Sequence, residues 1–314
     1  MSTHKAIARN SLWYGVELLA GIFGALLASL LVANHFGPTR LAYYIWIAWL
    51  TNVTGAMGSL GLPMTVQKFA AEYFGRGDLA AVKAIYRLVL RAQLLVAGAI
   101  VTVGLALVWW WSPAEEQPAA MLLVLSILPR IAGFIPSQVN TAAQDMRANV
   151  PPTLAGNLVQ LGLTVTGVLL NWGLAVVAGA FALGSAIELY LKHRSVTRRL
   201  AGVTASPIDE ALRARMMRFS GEGMGLMALN FLVWDRSDVF FLKYLQPDRR
   251  QISFFSQPFT LADRMQMIPQ MLAVPLGAAL LNRAVIPIRC ATTSTGTALC
   301  CARIGFRPRA MRTA

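Results

Sequence analysis

The segment SLWYGVELLAGIFGALLASLLVANHFGPTR, residues 11–40, sets the solvent in which this chain folds. Between Arg9 and His35 its one charged side chain is Glu17. A run of ~20 predominantly apolar residues is what a helix needs to cross hydrocarbon. In lipid the backbone N–H and C=O groups must be satisfied within the segment, so such a run is helical. Lys5 and Arg9 precede it, as they would precede a secretory leader. The run far exceeds the ~7–15 residues of a leader's apolar region, so it reads as an uncleaved first span.

Similar runs recur as far as Leu281. Eight spans are expected, at about 11–36, 41–64, 88–111, 119–141, 151–171, 174–191, 219–245 and 252–282. Composition agrees: 56% of residues are hydrophobic and 13% charged, with a mean hydropathy of +0.55, whereas soluble domains carry about 25% charged residues. The alternating segments of ~10 residues that mark a membrane β-barrel are absent. The fold class is therefore all-α, a polytopic membrane helical bundle. Asn171-Trp172-Gly173 is too short to be more than a turn, so spans five and six are antiparallel neighbours.

The net charge of +14 would suit a nucleic-acid binder, but its placement does not. Lys5, Arg9, Lys68, Arg76, Lys83, Arg87, Arg91, Arg147, Lys192, Arg194, Arg198, Arg199, Arg213, Arg215 and Arg218 fall at the N-terminus and in every second gap. The intervening gaps carry Arg40, Arg249 and Arg250 with acidic Glu115 and Glu116. The positive-inside rule explains that pattern and places the N-terminus in the cytoplasm. Tyr43, Tyr44, Trp46, Trp109, Trp110, Trp111 and Trp172 then fall at the outer surface, as an interfacial aromatic belt. The expected location is the inner (plasma) membrane, with no nucleic-acid partner.

A faint repeat divides the chain. Gly37-Pro38-Thr39-Arg40 before Tyr43-Tyr44 has a counterpart about 210 residues later, Gln246-Pro247-Asp248-Arg249 before Phe254-Phe255. The expected organisation is a six-helix N-terminal lobe over 1–205, the start of a second lobe over 206–282, and an atypical basic tail over 283–314. Ser206-Pro207-Ile208-Asp209 resembles a capping box with proline at the first helical position. It predicts a short helix from Ala211 to Phe219 lying at the membrane surface. Composition changes abruptly after Arg283, where the three cysteines (Cys290, Cys300, Cys301) and a Thr/Ser/Gly run appear, and a truncated reading frame is the expectation.

Ionisable residues inside spans cost ~2.5–3.5 kcal/mol each at the centre, so each needs a reason. Arg130 lies ~16 Å into span four at 1.5 Å per residue, near the midplane. Arg264 is at similar depth in span eight beside Asp263, and span seven holds Asp235, Arg236 and Asp238. Two readings stand: a polar translocation cavity in which arginine forks bind an anion, or mutual pairing between spans. Glu17 is expected to be structural, close to the cytoplasmic end. Pro129, Pro136, Pro63 (after Gly58 and Gly61), Pro269 and Pro275 are expected to bend or break their helices. Gly221-Glu222-Gly223-Met224-Gly225 lacks a preceding strand and a following Walker lysine, so it reads as a helix-packing element. No Ser/His/Asp set, metal motif or cofactor motif is present, and no enzyme activity is expected.

Four stretches carry a family resemblance: NSLWYGVELLAGIFGALLASLLVANHFGPTRLAYY (10–44), GLPMTVQKFAAEYFGRGD (61–78), NWGLAVVAGAFALGSAIE (171–188) and WDRSDVFFLKYLQPDRRQISFFSQPFTLADRM (234–265). In order and spacing the chain resembles the multidrug/oligosaccharidyl-lipid/polysaccharide (MOP) exporter superfamily, and within it the polysaccharide transporters that include O-antigen flippases. The resemblance implies two six-helix lobes around a central cavity and alternating access. It implies a cargo of undecaprenyl-diphosphate-linked oligosaccharide, flipped from inner to outer leaflet for surface polysaccharide biosynthesis. Its implied partners are that lipid-linked oligosaccharide, membrane lipids, and a polysaccharide polymerase or other assembly proteins. By motif position Asp238 and the Gly61–Asp78 segment match family landmarks. Two alternatives stand beside it: a cation-coupled drug or metabolite exporter using Glu17 or Asp238, and an inactive truncated fragment.

Overall fold

A single glycine turns the chain after its first pass. The structure is a computed structural model that describes residues 3–234 together with 273, 274, 276 and 277. Helix α1 (Thr3–Gly58) is continuous except at Gly37, whose φ of 76° and ψ of 170° suit glycine alone. Val32 and Phe36 before this break pack with Tyr44 and Ile45 after it, against Leu174 and Val177.

The second pass is broken again. The chain leaves the helix at Gly58, takes positive φ at Leu60 (51°) and Gly61 (69°), and restarts as α2 (Leu62–Arg76) with Pro63 in its first turn. Proline fits there because its missing N–H would be unsatisfied anyway. After Gly77-Asp78, α3 (Leu79–Trp111) begins with the Asp78 side chain accepting from the Ala81 N–H at 2.9 Å. The fourth pass is two helices, α4 (Gln117–Leu125) and α5 (Ile127–Ala142). Pro129 causes this division: it has no N–H for the Leu125 carbonyl, and its ring crowds that carbonyl. A 3₁₀ turn (Met146–Asn149) leads into α6 (Val150–Leu169), and α7 (Leu174–Arg199) follows a tight turn in which Gly173 has φ 85°. Helix α8 (Glu210–Trp234) ends the described main chain.

Among the described residues four helical stretches are long and apolar enough to cross a membrane: 8–37, 79–111, 117–142 and 174–199. The second arm of α1 and α6 complete a six-pass bundle, as the hydropathy pattern predicts. The most extensive seam is α6 on α7. A Cβ at Gly156 would stand 2.7 Å from the Gly184 carbonyl oxygen, and one at Gly184 would stand 2.7 Å from that of Gly156. Small residues let the two backbones touch, which is how helices associate where lipid supplies no hydrophobic drive.

Two apolar clusters stack along the bundle. One joins α2, α3, α5, α7 and α8 through Phe69, Ile85, Ile135, Leu200 and Met216. The other joins α1, α3, α4, α5 and α7 at the Gly37 end through Ile47, Leu123, Ile127 and Ile131. Trp109, Trp110, Trp111 and Trp172 are exposed at that end, as a belt requires. Tyr43, Tyr44 and Trp46 instead pack against the core clusters, because that arm of α1 faces its neighbours.

The structure corrects two expectations about helix ends. Span six runs on to Arg199 and span three begins at Leu79, so Lys192, Lys83 and Arg87 lie on helices rather than in loops. Hydropathy measures the thickness of hydrocarbon, and a helix is free to continue beyond it. The anticipated surface helix is also not separate. It starts at Glu210, one residue before the expected Ala211, but continues unbroken through Phe219 to Trp234. Leu212 and Met216 are buried against the bundle rather than laid on lipid, while Arg213, Arg215 and Arg218 stay exposed. Spans seven and eight beyond Trp234, the internal repeat's second half and the tail lie outside the described residues, apart from residues 273, 274, 276 and 277.

Candidate functional site

A chain of polar side chains crosses the interior of the six-pass bundle. Its centre is Lys192 on α7, which is 5% exposed. Its Nζ donates to Glu188 Oε1 at 2.7 Å, one turn earlier on the same helix, and to Glu17 Oε1 at 3.1 Å on α1. Thr153 of α6 donates its hydroxyl to Glu188 Oε1 at 2.8 Å. One turn along α6, Asn157 Nδ2 donates to the Ala20 carbonyl of α1 at 2.9 Å, and Gly24 lies against the same asparagine.

Arg130 extends the chain from α5. Its guanidinium lies 5.3 Å from the centre of the Phe181 ring on α7, a cation–π distance. It is half-buried and within Coulombic reach of Glu188 and Tyr44. Two carboxylates and two cations thus share one low-dielectric interior, and their formal charges sum to zero. Burying them singly would be prohibitive; pairing and hydrogen bonding make the burial tolerable. Glu17 Oε2 and the Thr164 hydroxyl are buried with no partner among the described residues.

The structure places Arg130 on α5, half-buried against Phe181 and within Coulombic reach of Glu188. Glu17, expected to be structural, is held by Lys192 in the ion-pair network, and sequence reasoning misses Glu188 and Lys192. Their signal was present as a Glu–Lys pair four apart, the orientation favoured on a helix. Hydropathy ends span six at Leu191 and so hides that pair's weight, whereas the helix runs on to Arg199. Asp235, Arg236, Asp238 and Arg264 lie outside the described residues. No group of three or more metal-ligating side chains occurs among the described residues.

Where the first lobe meets α8, the approach is closest at the broken second pass. The Ser220 hydroxyl donates to the Leu60 carbonyl at 2.5 Å, and a Cβ at Gly61 would stand 2.5 Å from the Ser220 carbonyl oxygen. Gly223 also packs on Gly61, as a helix-packing glycine should. Lys68 sits 3.9 Å above the Phe219 ring and Arg215 pairs with Glu72 at 3.5 Å.

No family model matches the sequence, and no curated protein matches it. Solved structures do share the fold. A MOP superfamily transporter from Pyrococcus furiosus, described as having a binding pocket of reverse polarity that suggests a different function, aligns with a TM-score of 0.62 at 14% identity. That alignment covers 90% of this chain and 63% of the transporter. A multidrug resistance MATE family transporter of the same superfamily, in an outward-facing conformation, gives 0.61 at 14% identity with the same coverage. A MATE protein in a straight conformation gives 0.63 at 15% identity, covering 90% of this chain and 64% of that one. The chain therefore has the all-helical fold of MOP transporters and spans somewhat under two thirds of their length.

Proposed function

We propose that this chain forms one lobe and the beginning of the second in an alternating-access exporter whose cargo is an anionic lipid-linked oligosaccharide of the undecaprenyl-diphosphate type. The fold supports transport. A diphosphate and its sugars cannot enter hydrocarbon without groups that replace their water, and a lobed cavity with fixed guanidinium groups supplies them. Arg130 is the cavity residue proposed within the described lobe, and Asp235, Arg236, Asp238 and Arg264 are proposed for the second. The N-terminus is proposed to be cytoplasmic, with cargo moving from the inner to the outer leaflet.

One observation carries the choice of cargo sign. The two partly buried carboxylates of the interior network, Glu17 and Glu188, are already held by a tethered ammonium. An inorganic or drug cation recruited to them must displace Lys192, which is covalently attached and cannot diffuse away. The rival reading, a cation-coupled exporter, is favoured by the unpartnered buried Oε2 of Glu17. The test is the full-length protein in proteoliposomes with a fluorescent undecaprenyl-diphosphate oligosaccharide. Arg130→Ala and Arg264→Ala should each slow leaflet transfer about tenfold with membrane insertion unchanged. Transfer at wild-type rate in both variants, with dye efflux that follows a Na⁺ or H⁺ gradient, selects the rival.

A further inference from the structure

We infer that the cavity between the N-terminal turn of α6 and the last two turns of α7 is a binding site for an anionic glycerophospholipid of the surrounding bilayer. Its volume is about 760 Å³, within the ~300–1,000 Å³ of small-molecule sites. It has two chemically distinct walls. Arg194, Arg198 and Arg199 form one, and Pro151, Pro152 and Leu191 form the other.

The charges on the basic wall are largely unspent. Arg194 and Arg198 are four apart on α7, exposed, and have no acidic partner among the described residues. Arg199 pairs with Asp145, yet its Nε is buried without a partner among those residues. Three guanidinium groups therefore face one carboxylate. A second cavity on the other flank of α7 is basic too, and its Arg87 and Arg91 are likewise exposed and without an acidic partner among the described residues, while its remaining basic groups are engaged. There Lys83 donates to the Leu200 and Val203 carbonyls at 3.0 and 2.7 Å, closing the end of α7, and His193 shares a hydrogen bond with the Tyr86 hydroxyl at 2.6 Å.

The apolar wall says which anion fits. Pro151 and Pro152 have no N–H, so the start of α6 offers few backbone donors and anion recognition falls to the arginine forks. From that wall Leu154 and Leu158, both exposed, continue along α6 toward the membrane interior. A soluble phosphate has no use for such a track, whereas acyl chains do. Basic pockets between helices at a membrane surface are where anionic head groups bind. No residue of α8 lines the cavity, so the site belongs to the first lobe and is independent of the cargo proposed above.

The test uses the full-length protein in neutral detergent. It is mixed with phosphatidylglycerol, with phosphatidylcholine of identical chains, or with inorganic phosphate, and retained lipid is counted by native mass spectrometry. Phosphatidylglycerol should be retained at least about tenfold over phosphatidylcholine, and Arg194→Gln/Arg198→Gln should abolish that preference. Arg213→Gln/Arg218→Gln, which removes equal charge from α8, should leave it intact. Equal loss in both pairs means diffuse surface attraction and overturns the site. Protection by inorganic phosphate alone, displacing phosphatidylglycerol, means a soluble-anion site and overturns the lipid. If the first pair fails to fold, a photoreactive phosphatidylglycerol on the unmodified protein decides: crosslinks within residues 148–199 support the site, and crosslinks confined elsewhere refute it.

Discussion

On α7, Lys192 and Arg194 are two residues apart and live in opposite solvents. Lys192 points into the bundle, bridges two carboxylates from two helices and is sealed from water. Arg194 and, one turn on, Arg198 point outward, are exposed and have no acidic partner among the described residues. Successive residues on a helix are separated by ~100° of rotation, so a step of two moves a side chain to the far face. Residue type and sequence neighbourhood are nearly the same in both cases. Azimuth alone decides whether a cation serves the fold or is left for a ligand.

The comparison is broken most directly at its buried member. Lys192→Met strands Glu17 and Glu188 in the interior without an ammonium, and should cost ~3–5 kcal/mol. Thermal unfolding of the detergent-solubilised protein measures it. Unchanged stability would mean that the carboxylates reach water. Adding Glu17→Gln to that variant should recover part of the loss, since one orphaned charge disappears.

The next effect tests what holds the buried face closed. Gly184→Ala puts a methyl group 2.7 Å from the Gly156 carbonyl oxygen, so α6 and α7 must part. A cost of ~1–3 kcal/mol is expected, read by the same melting curves, and Gly173→Ala at the turn should separate seam packing from turn strain. Thr153→Val removes the hydroxyl that Glu188 accepts and keeps the side-chain shape. It should cost ~1–2 kcal/mol by the same assay, and no change would remove Thr153 from the network.

The smallest effect belongs to the exposed face. Arg218 and Glu222 form an ion pair at 3.2 Å with both side chains largely in water. Arg218→Gln should shift the melting temperature by less than about 0.5 kcal/mol in equivalent stability, a loss that raised salt should erase. A loss comparable to that of Lys192→Met would mean that exposure, as drawn here, does not set the worth of a charge.

Much of the architecture is readable without coordinates, because hydropathy is a local sum. The apolar runs, the Asn171–Gly173 turn, the breaks at Gly37, at Gly58–Gly61 and before Pro129, and the packing role of Gly223 all follow from a few adjacent residues. The ends of helices do not, since a charged helical turn and a charged loop have the same composition. For that reason Lys83, Arg87 and Lys192 read as loop residues, and the helix expected at 211–219 merges with the span after it.

Sequence by itself determined the solvent, the helical class and the number of passes in the first lobe. Each of these depends only on which side chains tolerate hydrocarbon and on the rise of a helix. Tertiary structure alone decided that Glu17, Glu188 and Lys192 meet, that α8 docks its apolar face on α2, and that a basic cavity opens beside α7. Those outcomes depend on how helices distant in sequence are rotated against one another, and pairing energies between residues 175 positions apart have no local signature.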